Sequence, residues 1–243
     1  MTLVRNEFRK LSTMRAVWLL LAAEQAVIIA GIASLLVGNS NDPHDPMTSR
    51  QAVMHVGLVA MFTLLLGVLA VAGEYRHKTI TDTYLATPKR GRVVWAKVIT
   101  YTIAGLGFGL VAAVTATVVG SIWLSAKGGS LYLGDTEVWQ TLVGCILWNA
   151  LFAAIGVGVG ALVRNLVAAV AVALGWIAVI EMSMSSLFGS SARWLPFAAG
   201  KSLGHFTPDS DLLPQWAGAV VLIAYTVLFV AAAVSTTVRR DVT

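Results

Sequence analysis

Charge is what this chain has least of. Only 12% of its 243 residues are Asp, Glu, Lys or Arg, against 57% hydrophobic residues and a mean hydropathy of +0.79. That balance excludes an ordinary soluble domain and indicates a polytopic membrane protein. Cysteine is nearly absent: the lone Cys145 sits in an apolar run, so no intrachain disulfide can form. HExxH and CxxC do not occur, and His44, His55, His77 and His205 are scattered along the chain. Gly200-Lys201-Ser202 looks like the tail of a phosphate-binding loop, but Leu195 stands where that loop needs its first glycine. A membrane-embedded serine protease needs Ser and His on facing helices. Here Ser190 and Ser191 fall near the outer surface and His205 in a loop. No catalytic residue, cofactor or metal is therefore expected in the chain itself. No cleavable leader is expected either, because MTLVRNEFRKLSTMR is too long and polar for one.

What the chain does have is long apolar runs. Six stretches, at 16–37, 51–72, 98–123, 138–162, 166–188 and 216–235, each approach the roughly 20 residues needed to cross about 30 Å of hydrocarbon. Before them, Val4, Phe8 and Leu11 recur at helical spacing with Arg5, Arg9, Lys10 and Arg15 between, which predicts an amphipathic helix over 1–15 on the inner leaflet. With both termini cytoplasmic, thirteen of the seventeen Lys and Arg lie inside and Arg50, Lys127, Arg193 and Lys201 lie outside. The pI near 9.6 thus reflects orientation in a bilayer and not a nucleic-acid partner. The connection 189–215 contains ARWLPFAAGKSLG, too short to cross, which suits a re-entrant or interfacial segment or an ordinary surface loop.

The one long polar, charged segment between apolar runs is 73–97, GEYRHKTITDTYLATPKRGRVVWAK, with six basic residues. Ile80 and Tyr84 stand four apart, and Pro88 with Gly91 would end a short helix. Such a helix, presenting Tyr75, Ile80, Tyr84 and Leu85 among charges, has the composition of a docking peg for a separate motor protein; a solvated loop anchored to lipid is the plainer alternative. Within the membrane, Glu24 in the first span and Glu181 in the fifth stand out, since buried ionisable groups face a cavity or a partner. They are candidates for a substrate pathway together with Asn149. The structural alternatives are a bond from Glu24 to a neighbouring helix through Gln25 or Asn149, and simple solvation of Glu181. Gly105/Gly109 and Gly156/Gly160 are small-xxx-small pairs suited to close helix packing, within one subunit or between two.

The run GEYRHKTITDTYLATPKRGR resembles the loop after the second span of ABC-2 type permeases, the membrane subunits of ATP-binding cassette exporters. That family commonly shows GEYRHGTI followed by LATPRRGR, so Lys78 stands in place of a glycine. NEFRKLSTMRAVWLLL resembles the family's opening. The likeness covers the whole chain in topology and these two stretches in detail. It implies an ABC-2 (type V exporter-like) fold of six transmembrane helices, with a coupling helix between the second and third and short re-entrant helices before the sixth. Two permease copies, or this chain and a related one, would assemble with two ATPase subunits in a bacterial inner or plasma membrane. ATP and Mg would be bound by the ATPase. Glu74, Tyr75, Arg76 and His77 would open the coupling region, Thr79–Ala86 would form its helix, and the turn at Arg164 would touch the motor or that region. Without a large outer domain, the cargo implied is a small amphiphile such as a drug, peptide antibiotic or lipid. An ion-coupled secondary transporter and a non-transporting scaffold or sensor remain the alternatives.

Overall fold

The structure, a computed structural model, describes residues 2–37, 42–87, 89–206 and 212–239. Among these residues all regular structure is helical. Helix α1 (Thr2–Thr13) turns at Met14 into α2 (Arg15–Val37), and α3 (Pro46–Leu58) runs through Val59 into α4 (Ala60–Arg76). The short α5 (Ile80–Ala86) leads to α6 (Arg90–Ala126) and α7 (Thr136–Val163). Then come α8 (Leu166–Gly175), a π turn (Trp176–Glu181), α9 (Met182–Phe188), a 3-10 turn (Gly189–Trp194), α10 (Pro196–Leu203) and α11 (Gln215–Arg239).

Local chemistry sets the starts of several helices. Asp45 accepts from the Met47 amide ahead of Pro46, Asp135 from the Glu137 amide, and Asn165 from the Ala168 amide, each satisfying a first-turn N–H. Five helices among the described residues are long and apolar enough to cross a membrane: Arg15–Leu35, Pro46–Arg76, Arg90–Ala126, Thr136–Val163 and Gln215–Thr236. The sixth expected stretch, 166–188, is helical throughout but is interrupted by the π turn.

The polar loop is shorter than the sequence suggests. Helix α4 continues through Arg76 and α6 already begins at Arg90, so residues 90–97 are helix instead of loop. Tertiary contacts decide this, because Val93, Val94, Ala96 and Lys97 are all buried. Pro88, the expected helix stop, lies outside the described residues, as do Pro208 and Arg240.

Helices α4 and α7 form the centre, about three-quarters buried, while α2 and α11 are mostly exposed at the periphery. Glycines let the central helices touch. A Cβ on Gly67 would lie 2.1 Å from the Ala153 carbonyl, and one on Gly156 would lie 2.1 Å from the Leu64 carbonyl. Gly105 and Gly109 of α6 meet Asn149 and Ile146 of α7 in the same way, and Gly160 meets Val68. Both small-xxx-small pairs therefore pack inside one chain.

Helix α10 is tucked against α7 and α11. Gly200 approaches the Trp148 indole so closely that a Cβ would come within 2.0 Å of Cε2. Trp148, wholly buried, also makes edge-on contacts with Phe152, Phe197 and Phe206. At the far end of the bundle from α5, buried Arg50 pairs with Glu137 and donates to the His205 carbonyl at 2.9 Å, joining α3 and α7 to the end of α10.

Candidate functional site

Four charged side chains converge where α1, α4 and α6 meet. Lys97 is 1% exposed, yet its ammonium is fully satisfied. It donates to Glu7 Oε2 at 2.8 Å, to Glu74 Oε1 at 2.8 Å and to the Ala70 carbonyl at 3.0 Å. Three donors meet three acceptors, which is the capacity of an ammonium group. Lys10 bridges the same carboxylates from the other side, 2.8 Å from Glu74 Oε1 and 3.1 Å from Glu7 Oε1. Two cations and two anions cancel, so the lattice carries no net formal charge into a site where an unpaired ion costs several kcal/mol.

The lattice extends to α5. Lys10 Nζ reaches the Thr83 hydroxyl at 3.5 Å, and Ile80 is buried at 3% exposure. Arg90 lies over the Tyr84 ring at 5.3 Å, and Tyr84 hydrogen-bonds with Tyr75. The Arg164 guanidinium lies 5.7 Å from the Tyr75 ring centroid and also donates to the Thr236 carbonyl at 3.3 Å, so the turn after α7 braces the loop. A concave space of about 670 Å³, bordered by Lys10, Met14, Glu74, Asp82 and Leu166, lies beside this junction.

These contacts redistribute the residues expected to face a partner. Ile80 turns inward and is not a surface residue. Tyr75 and Tyr84 are half-buried against arginines of their own chain. Glu74 serves the lattice. What remains outward is Arg76, His77, Lys78, Thr79, Thr81, Asp82, Leu85, Ala86 and Lys89, with Leu85 the most exposed large apolar side chain of the loop at 78%. Lys78 has φ 58°, in the left-handed region that favours glycine. That explains why the pattern this loop resembles carries glycine there.

Sequence reasoning missed Glu7 and the role of Lys97. The signals were present. Glu7 lies three residues after Val4 and four before Leu11, on the apolar face of α1, and Lys97 interrupts the apolar run VVWAKVITY.

The three intramembrane candidates do not converge. Glu24 is wholly buried, and neither carboxylate oxygen has a hydrogen-bond partner among the described residues; the Gln25 amide and the Thr100 hydroxyl are likewise unpartnered. Asn149 does not supply the missing bond. Its amide donates to the Val56 carbonyl at 2.8 Å and the Cys145 carbonyl at 2.9 Å, and the Thr63 hydroxyl donates to it at 3.4 Å. Glu181 is 6% exposed, so it is not solvated. It accepts from the Phe197 amide at 2.9 Å, the Ala198 amide at 3.1 Å and Trp176 Nε1 at 3.1 Å, capping α10 from the π turn. The π turn makes this possible by placing Trp176 and Glu181, five residues apart, on one face.

A helical bundle with five membrane-length helices among the described residues, and a neutralised ion lattice where α1, α4 and α6 meet, defines a multi-pass membrane protein. A family model described as ABC-2 family transporter protein matches residues 3–180, and the chain belongs to that family. The matched stretch contains all four lattice residues and α5. Among curated proteins no sequence matches the chain.

Proposed function

We propose that the chain is the permease subunit of an ATP-driven exporter, worked by a separate ATPase that docks on α5 and the turn before it. Family membership supports a transport role, and the observation that carries the coupling is the lattice. Glu7, Lys10, Glu74 and Lys97 bind α1, α4 and α6 into one unit that Lys10 extends to Thr83 of α5 at 3.5 Å, so a displacement of α5 would bear on three helices held together. Helices 166–188 complete six crossings in this reading, with both termini cytoplasmic. Helix α10 is a re-entrant segment whose backbone is shielded by α7 and α11. Two copies, or this chain and a related one, enclose the pathway for a small amphiphile in a bacterial plasma membrane. ATP and Mg belong to the partner. For transport, each nucleotide state must favour one conformation of the pair over the other.

The docking surface consists of the outward residues, Leu85 flanked by Arg76, His77, Asp82 and Lys89. Leu85→Asp and Arg76→Glu are expected to abolish copurification with the ATPase and transport, with an unchanged thermal midpoint for the isolated chain. Survival of both copurification and transport in the two variants would overturn the assignment. An ATPase that never copurifies would favour an ion-coupled transporter or a scaffold.

A further inference from the structure

Helices α8 and α11 both pack on α7 but diverge from each other, leaving a cleft of about 240 Å³ in the bundle. Phe152 and Val159 of α7 form its floor, Ala173 of α8 and Trp176 of the π turn one wall, and Tyr225 and Phe229 of α11 the other. Apart from Glu181 at one end, the lining is almost wholly apolar. We infer that this cleft seats one acyl chain of a membrane phospholipid, held by a single copy of the protein.

Shape favours a single hydrocarbon chain. Phe152 and Val163 both line the cleft and are eleven residues apart on α7. At 1.5 Å per residue the lining runs roughly 16 Å along α7, so the cleft is long and narrow for its volume. A helix from a second copy, about 10–12 Å across with its side chains, does not fit inside. A void of this size lined by apolar groups forfeits dispersion contacts along its whole wall, which a flexible chain restores. The position also fits, since the floor belongs to the membrane-length helix Thr136–Val163.

One end of the cleft is built for a headgroup. Glu181 and Pro196 close it, and the Glu181 carboxylate is already occupied by three N–H donors. Two cations lie on the segments that adjoin this end, Arg193 on the 3-10 turn before Pro196 and Lys201 on α10. Lys201 Nζ lies 5.5 Å from the Phe197 ring centroid, and Arg193, three residues before Pro196, has a buried Nε with no partner among the described residues. An unsatisfied guanidinium N–H and a second cation, both within a few residues of Pro196, suit a phosphate. The site rests on the bundle alone and holds whether or not an ATPase couples to α5.

The test uses the full-length chain in detergent, titrated with phosphatidylethanolamine carrying a mid-chain diazirine, with adducts mapped after irradiation and stoichiometry read by native mass spectrometry. Saturable labelling at Phe152, Val159 and Tyr225 with one lipid per chain is expected, while exposed Val114 and Val118 of α6 label without saturation. Val172→Trp places bulk at the 51% exposed rim, where folding tolerates it, and Ala173→Leu fills the wall. Each should weaken saturable binding by about tenfold, about 1.4 kcal/mol, as displacing roughly two buried methylenes would. Non-saturating labelling in the cleft, or indifference to Val172→Trp, would overturn the proposal. Equal binding of a phosphate-free diacylglycerol with the same diazirine would eliminate phospholipid as the occupant. Cross-links from Tyr225 to a second copy in place of lipid would assign the cleft to subunit contact.

Discussion

Lys97 Nζ and Glu7 Oε2 stand 2.8 Å apart across 90 residues of sequence, both buried, and with Glu74 they make a charge centre that no single helix could hold alone. Removing the cation leaves two carboxylates facing only the half-exposed Lys10. Lys97→Met is expected to destabilise the protein by roughly 3–5 kcal/mol, the range for breaking a buried pair from one side. Adding Glu7→Leu should recover part of that loss, because Lys10 then balances Glu74. Thermal midpoints of the single and double variants in detergent check this, and a double variant no better than the single one would contradict it.

Lys78→Gly should stabilise the loop. The backbone at Lys78 has φ 58°, where an L-residue with a Cβ pays about 1 kcal/mol that glycine does not. The gain appears as a raised thermal midpoint, or as slower proteolysis between α4 and α5 if global unfolding begins elsewhere.

Two glycines in membrane helices should respond to alanine with opposite signs. A Cβ at Gly67 would strike the Ala153 carbonyl at 2.1 Å, forcing α4 from α7 at a cost of about 1–3 kcal/mol. Gly107 of α6 has nothing within 4 Å, so Gly107→Ala should be neutral or stabilising by up to about 1 kcal/mol through helix propensity. Comparative melting of the two variants is the measurement.

Glu24 separates function from architecture. Its oxygens have no donor among the described residues, so Glu24→Leu removes a buried polar group that nothing satisfies, a change worth about 1–3 kcal/mol in favour of the folded chain. If transport falls while stability rises, Glu24 serves the pathway. Equal transport with higher stability returns it to packing.

The junction of α1 with α5 should open only in strong alkali. Burial favours the neutral amine of Lys10, but Glu74 and then Glu7 favour the ammonium more, and its pKa ends above the ordinary 10.5. Its contribution is therefore complete below pH 10.5 and lost as pH climbs through the raised value. Burial, aided by the bond to Tyr75, likewise lifts the Tyr84 phenol above 10.0, so an unfolded loop gains ionisation energy from that pH upward and the folded one does not. Spin labels at Arg9→Cys and Asp82→Cys should hold one distance through neutral pH and separate above roughly pH 10.5.

Apolar run length made the helical membrane architecture legible from the residues alone, and the motif of the polar hairpin led to the family. Pairings between distant segments were not legible. Lys97 counted as one more basic loop residue because periodicity says nothing about a carboxylate ninety positions away. Ile80 looked exposed because a seven-residue helix offers too few turns to define a buried face. Glu181 looked like an isolated intramembrane charge because its partners are backbone amides of α10, which composition never displays.

The continuity of α6 has a mechanical consequence. Its 37 residues contain no proline and would extend about 55 Å, nearly twice the hydrocarbon thickness. It bears on α7 near its middle, through Gly105 and Gly109. Because it is also packed from Val93 to Leu124, a displacement imposed at Arg92 would travel to Trp123 along one unbroken rod, with no joint in its backbone to absorb it.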